Sequence, residues 1–300
     1  MDATTPPRSY KRTSTVVQSA DGTPIYADSV GDASKPSIIF VHGFGLSGIA
    51  FDGIFEEGSE GRNQWEDDVY LVRYDLRGHG RSGKPEDAAS WDSKRLAEDF
   101  DAVVKAFGLA RPFLATWSLG GLTVTDVLAH FPPRYLSGVI LLAGYPSAGG
   151  VLKIATPSAL ALIPPLLDPT NTIATAQSFI ASFTAPESPQ LSYTMQQAML
   201  ANIVTQPKGC TVHILTRTQD EAGFWAAGKE GLPMLVITGT VDPLVDQEGT
   251  RKFFEGTEDK QWKDIQFVSL EGVGHMPFWE RPAKVRDTML GFVARYRTVQ

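Results

Sequence analysis

The 300-residue chain contains a single cysteine, Cys210, which excludes an internal disulfide framework and any metal centre built on paired thiolates. It has no long hydrophobic run. The nearest, residues 159–167, is broken by Pro164-Pro165 and falls short of the roughly 18–20 apolar residues that cross a bilayer. Cationic excess is missing too: 27 Lys and Arg face 34 Asp and Glu, for a formal charge of −7. No basic cluster offers the many cations that grip a phosphate backbone, so no nucleic-acid partner is expected. The five histidines, 42, 79, 130, 213 and 275, are scattered without metal-ligand spacing, so no metal is expected. Neither a phosphate loop nor a dinucleotide fingerprint is present, and no cofactor is expected. The first residues, Met-Asp-Ala-Thr-Thr-Pro-Pro, lack the apolar stretch of a secretory signal, which makes a cytoplasmic location the expectation. Nothing in the sequence speaks to oligomeric state.

Against these absences stands enough apolar material for a large core, with 42% hydrophobic and 20% charged residues. Residues 13–19 and 25–30 flank Asp21-Gly22, a hairpin turn signal. Short apolar runs follow at 37–41, 69–74, 113–116, 139–143, 234–238 and 265–270. Continuous β-branched and aromatic runs of this length suit strands buried on both faces of a parallel sheet. Leu96, Phe100, Val103, Val104 and Phe107 recur as one apolar helical face, and 119–130 and 283–296 read as further helices. Strands alternating with helices predict an α/β fold, with a mostly parallel central sheet and helices on both faces.

One stretch breaks the alternation. Residues 146–228 contain no strand run and are divided by seven prolines into short apolar pieces. A long insertion between two sheet strands is expected to lie as a helical cap over the carboxyl edge of the sheet. The expected division is therefore a core of residues 1–145 and 229–300, with a cap of 146–228.

The chemistry concentrates at strand ends. The run Phe113-Leu114-Ala115-Thr116 leads straight into Trp117-Ser118-Leu119-Gly120-Gly121 and then a helical pattern, the strand–turn–helix order of a nucleophile elbow. Such a turn needs small residues two positions either side of the serine; Gly120 supplies one, but Thr116 stands at the other. A similar short pattern, Ala27-Asp28-Ser29-Val30-Gly31, runs into a loop and lacks that context. Val41-His42-Gly43-Phe44-Gly45 follows the first buried strand, where the amide of Phe44, with that of Leu119, can face a developing oxyanion. His42 is expected to pin this loop rather than react. Past the strand at 234–238 comes Asp242, with Asp246 and Glu248 as substitutes; past 265–270 comes His275. A serine hydroxyl needs an imidazole to take its proton, and the imidazole needs a carboxylate to fix its tautomer. Ser118, Asp242 and His275, in that chain order, form the expected triad.

These motifs resemble the α/β-hydrolase superfamily, in its capped branch of serine esterases and lactonases. The resemblance extends from the first hairpin to the last helix and includes Asp75-Leu76-Arg77-Gly78-His79-Gly80-Arg81-Ser82, similar to the family's loop after the fourth strand. It implies a serine hydrolase cleaving a small-to-medium hydrophobic ester or lactone through an acyl-enzyme. Epoxide hydrolases and haloalkane dehalogenases of this fold carry an aspartate at the elbow, so Ser118 disfavours both. The same residues admit carbon–carbon bond hydrolysis, hydroxynitrile lysis (for which Lys153 or Arg217 would supply a cation), perhydrolysis, or non-catalytic binding of a hydrophobic ligand. Trp117, Tyr145, Trp225 and Met276, with Phe44, are the expected lining of the cleft; Phe224 and Phe278 read better as core packing.

Overall fold

In a computed structural model, described here for residues 12–56, 65, 67–168, 172–256 and 260–297, eight strands form one sheet. They are β1 (Thr13–Gln18), β2 (Pro24–Val30), β3 (Ser37–Val41), β4 (Tyr70–Tyr74), β5 (Phe113–Trp117), β6 (Gly138–Leu142), β7 (Met234–Gly239) and β8 (Ile265–Leu270). Their order across the sheet is β1-β2-β4-β3-β5-β6-β7-β8, and only β2 runs against the rest. Every residue of β3, β4, β5, β6 and β7 is buried, as continuous apolar runs require when both sheet faces are covered. Gly22, with φ of 83°, closes the β1–β2 hairpin, where its neighbour Asp21 accepts the amide of Thr23.

Alternate strand residues enter two cores. Ile38, Phe40, Phe113 and Ala115 face one side, and Ile39, Val41, Leu114 and Leu141 the other. Helices α1 (Asp52–Phe55), α2 (Ser93–Ala106) and α3 (Leu122–His130) precede β6, and α4 (Ala148–Ile154), α5 (Pro157–Leu167), α6 (Thr172–Ala181), α7 (Tyr193–Thr205), α8 (Lys208–Thr216) and α9 (Ala222–Glu230) lie between β6 and β7. After β7 come α10 (Gln247–Glu255), α11 (Pro277–Glu280) and α12 (Pro282–Tyr296). Residues of α2, α3, α9 and α10 fill the second core, whereas α12 and residues of α5 to α8 join the first. Phe107, expected on the apolar face of α2, lies just past its end, because Gly108 takes a left-handed φ of 63° and stops the helix.

The insertion is helical, but its two ends behave as core. Val151 and Ile154 of α4, and Phe224, Trp225 and Ala227 of α9, pack with Phe253 and Phe254 of α10. The boundary expected between residues 228 and 229 falls inside α9. A helix with so much apolar surface gains more by burying it in the core than by leaving it exposed.

Candidate active site

At the carboxyl end of β5 the chain turns sharply through Ser118, whose φ of 55° is rare and costly for a residue with a side chain. A Cβ on Gly120 would lie 2.4 Å from the carbonyl oxygen of His42, and one on Gly121 2.3 Å from that of Tyr145. Only glycine fits where backbones approach so closely. Thr116, on the other side of the serine, is fully buried beside its register partners Val41 and Leu141, and its hydroxyl has no hydrogen-bond partner. Thr116→Val removes that orphaned hydroxyl at constant shape, so it should raise unfolding stability by about 1 kcal/mol without changing turnover. Urea unfolding checks this; a loss of stability would mean that the hydroxyl has a partner.

His275 follows β8, and its Nε2 stands 2.8 Å from Ser118 Oγ while Nδ1 stands 2.9 Å from Asp242 Oδ2. Because an ionised carboxylate only accepts, Nδ1–H donates to Asp242, which leaves Nε2 to accept the serine proton. Asp242 is held in turn: its Oδ1 accepts the amides of Leu244 and Val245 at 2.8 and 3.1 Å. Its rivals are occupied elsewhere. Asp246 caps α10 by accepting the amide of Glu248, and the Glu248 carboxylate faces Lys252 at 3.3 Å. Side chains of Asp242 and His275 are both fully buried, which strengthens every charge interaction between them.

His42 takes no part in this chain of bonds. Its Nδ1–H donates to Gly43 O at 2.8 Å and its Nε2 accepts the Leu76 amide at 3.0 Å, so it joins the loops after β3 and β4. His79 does likewise, donating from Nδ1 to Arg77 O at 2.9 Å and meeting the Gln206 amide nitrogen at 2.9 Å. Burial lowers the affinity of both imidazoles for a proton, and holds His79 at about 3. Their folded values lie below the unfolded value near 6.5, so the stability they contribute is present above that pH and lost progressively as pH falls from there toward the folded values. His79→Gln should therefore flatten the fall in unfolding free energy between about pH 6.5 and 4.5 by roughly 1.4 kcal/mol per pH unit at most. Denaturant titrations of both proteins at several pH values test this, and parallel curves would refute it.

A cavity of about 70 Å³ opens beside Ser118. Phe44, Leu119 and Tyr145 line it from the core, and Leu160, Ile163 and Phe179 from α5 and α6. Tyr145 adds no free polar group: its hydroxyl donates to Leu244 O at 2.7 Å, and burial with the nearby Asp242 charge pushes its ionisation far upward. Three residues expected in the cleft stand elsewhere. Trp117 lies behind His275, its indole N–H donating to His275 O at 2.8 Å. Met276 is fully buried with its amide on Phe183 O, and Trp225 packs on Phe253 with its N–H on Glu221. Alternation along β5 turns Trp117 away from the side its neighbour Ser118 occupies, and α9 carries Trp225 onto the second core. Phe278 and Phe224 are core residues, one on each face. The cavity residues of α5 and α6 escaped the sequence reading, although residues 155–167 carry no charge, the one signal available there.

Neither cation considered near the serine lines the cavity. Arg217 makes a bidentate pair with Asp126 at 2.8 and 2.7 Å, and Lys153 lies over the Phe253 ring. A larger groove of about 590 Å³, beside Lys35, Arg111 and Phe113, lies at the opposite, amino-terminal edge of the sheet and shares no residue with the serine site. Among the described residues there is no group of three His, Cys, Asp or Glu that could hold a metal ion. Among them, too, no helix is long and apolar enough to cross a membrane.

Residues 38–288 match the alpha/beta hydrolase family, so the chain belongs to that family. Two solved structures resemble it over nearly its whole length. An esterase, RhEst1, from Rhodococcus sp. ECU1013 is 25% identical with a TM-score of 0.79, covering 94% of this chain and 99% of that one. The other, described as a putative aryl esterase from Burkholderia cenocepacia, is 23% identical with a TM-score of 0.80, covering 95% and 99%. A probable oxidoreductase, EphD, of Mycobacterium tuberculosis is 33% identical over 99 residues, which is 33% of this chain and only 16% of that protein.

Proposed function

We propose that the protein is a serine hydrolase that cleaves neutral carboxylic esters or lactones with small-to-medium hydrophobic groups, through an acyl-enzyme. One observation carries this reading: an unbroken pair of hydrogen bonds runs from Asp242 through His275 to a serine held in a left-handed turn on the wall of an apolar cavity. Ser118 Oγ attacks the substrate carbonyl as His275 Nε2 takes its proton, and Asp242 stabilises the resulting imidazolium. The amides of Phe44 and Leu119, two residues sharing the cavity wall with Ser118, hold the oxyanion. Collapse expels the alcohol, which receives the proton from His275, and water repeats the sequence on the acyl-enzyme. For a lactone the expelled alcohol stays attached to the acyl group.

The cavity lining supports a substrate without charge: among the described residues no ionised side chain lines it, and burying an unpaired carboxylate there would be costly. With Arg217 committed to Asp126, the same residues give cyanohydrin lysis no cation to hold cyanide. We assign residues 146–228 to the cap that covers this site, with α4 and α9 as its anchors on the core. The RhEst1 and aryl esterase neighbours favour ester substrates as the first to test. A panel of acetyl, butyryl and octanoyl esters, six-membered lactones and a succinyl monoester is the direct experiment. Turnover of the neutral compounds with kcat/KM at least about tenfold above the succinyl ester is expected; preference for the anionic ester would overturn the substrate assignment.

A further inference from the structure

Glu280, in α11, is 2% exposed, yet its carboxylate is met by backbone amides and not by a cation. Gly274 N–H lies 3.0 Å from both oxygens, Met276 N–H 3.3 Å from Oε1, and Ala185 N–H 3.0 Å from Oε2. Gly274 and Met276 are the residues on either side of His275. Ala185 belongs to the stretch between α6 and α7, and two residues earlier Phe183 O accepts the amides of both His275 and Met276. The approach leaves no spare room: a Cβ on Gly274 would stand 2.7 Å from Ala185 N and 3.2 Å from Glu280 Oε1.

An ionised carboxylate is expensive to bury, and the cost is recovered only through several well-directed donors. Three donors converge here, which a carboxylate with two acceptor oxygens satisfies. A glutamine cannot, because its NH2 group would point N–H against N–H. With no other partner among the described residues, this buried acid is therefore committed to the geometry of the backbone around His275. We propose that Glu280 is a positioning residue: it holds the His275 imidazole in register with Ser118 by fixing the amides on both sides of it, and it joins that loop to the 183–185 segment of the cap. This rests on the serine-hydrolase reading given above. Proton transfer over the 2.8 Å from Ser118 Oγ to Nε2 depends steeply on that register, and misplacement by about 1 Å can cost roughly 10² in rate.

The test compares Glu280→Gln with the parent in three measurements on the full chain: steady-state hydrolysis of p-nitrophenyl butyrate, the rate of Ser118 modification by a fluorophosphonate, and thermal unfolding. Tyr135→Phe, which loses only a peripheral bond to Asp101, serves as a control for modest loss of stability. The expected result is a fall of about 10–100-fold in kcat with KM within about twofold, and an equal fall in the modification rate. Tyr135→Phe should keep the parent's kcat. Should Glu280→Gln not fold, Glu280→Asp withdraws the charge by one methylene and is measured in the same way, with the same expectation. A folded variant whose kcat and modification rate both stay within about twofold of the parent overturns the proposal. So does a loss confined to KM, which would place Glu280 in substrate binding through the cap. Failure of the folded parent both to be modified at Ser118 and to hydrolyse the ester is a different result, and it overturns the hydrolase reading.

Discussion

Replacement of Ser118 by alanine should abolish covalent modification by a fluorophosphonate and lower ester turnover by about 10⁴–10⁶-fold, with the fold intact. The expectation is large because serine, histidine and aspartate act as a unit, so losing the nucleophile forfeits what the other two supply. The variant should stay folded, losing no more than about 1–3 kcal/mol for the buried Nε2 of His275 left without its partner, while position 118 keeps its left-handed φ of 55°. Intact-mass measurement after fluorophosphonate treatment is decisive. One adduct on the parent, absent from Ser118→Ala, establishes an activated serine at this position. An adduct persisting on Ser118→Ala would put the nucleophile elsewhere. A folded parent that is neither modified nor active on a small acyl ester would favour a protein that binds hydrophobic ligands without turning them over.

Asp242→Asn should cost about 10⁴ in kcat, and the hydrogen bonds around the carboxylate explain why. Oδ1 accepts two backbone amides, from Leu244 and Val245, while His275 Nδ1 lies nearer Oδ2, at 2.9 Å against 3.1 Å for Oδ1. An asparagine will keep its single oxygen on those two amides, since turning over would set its NH2 against two N–H donors. The NH2 group then takes the Oδ2 place, the nearer of the two to His275 Nδ1 at 2.9 Å against 3.1 Å, and Nδ1 becomes its acceptor. That places the imidazole proton on Nε2, pointing at Ser118, and the base is lost without any change of shape. Melting should move little while kcat/KM collapses. Retention of more than about a tenth of the parent activity would show that Asp242 does not set the tautomer.

The residues of the site differ in how far a local stretch of sequence specifies them. Gly120 and Ser118 were legible because the strand–turn–helix order and the need for small residues are local, expressed within a few positions. Asp242 and His275 were legible because each follows an apolar strand run, and parallel strands deliver their carboxyl ends to one edge. The lining of the cleft was not legible in the same way. Trp117 adjoins the serine in sequence yet stands behind the histidine, because successive residues of a strand face opposite sides. Trp225 lies in a stretch expected over the site, but the surface it buries belongs to the second core. Leu160, Ile163 and Phe179 reach the cavity from helices whose placement depends on contacts across the molecule.

What the sequence determined by itself is the succession of elements and the chemical type of each strand end, since these follow from local burial pattern, turn chemistry and residue valence. Tertiary structure alone decided how those ends are bound together. It set both oxygens of Asp242 on His275, Oδ2 the nearer, left the Thr116 hydroxyl without a partner among the described residues, and kept His42 and His79 neutral by burying them. It also brought a carboxylate from α11 onto the amides flanking His275 and onto that of Ala185, ninety-five residues away. Apart from the short reach of Glu280 to Gly274 and Met276, each of these is a contact between residues distant in the chain, or a matter of which side of an element meets the solvent. Neither has a signature within a local window, because both depend on the packing that the whole chain adopts at once.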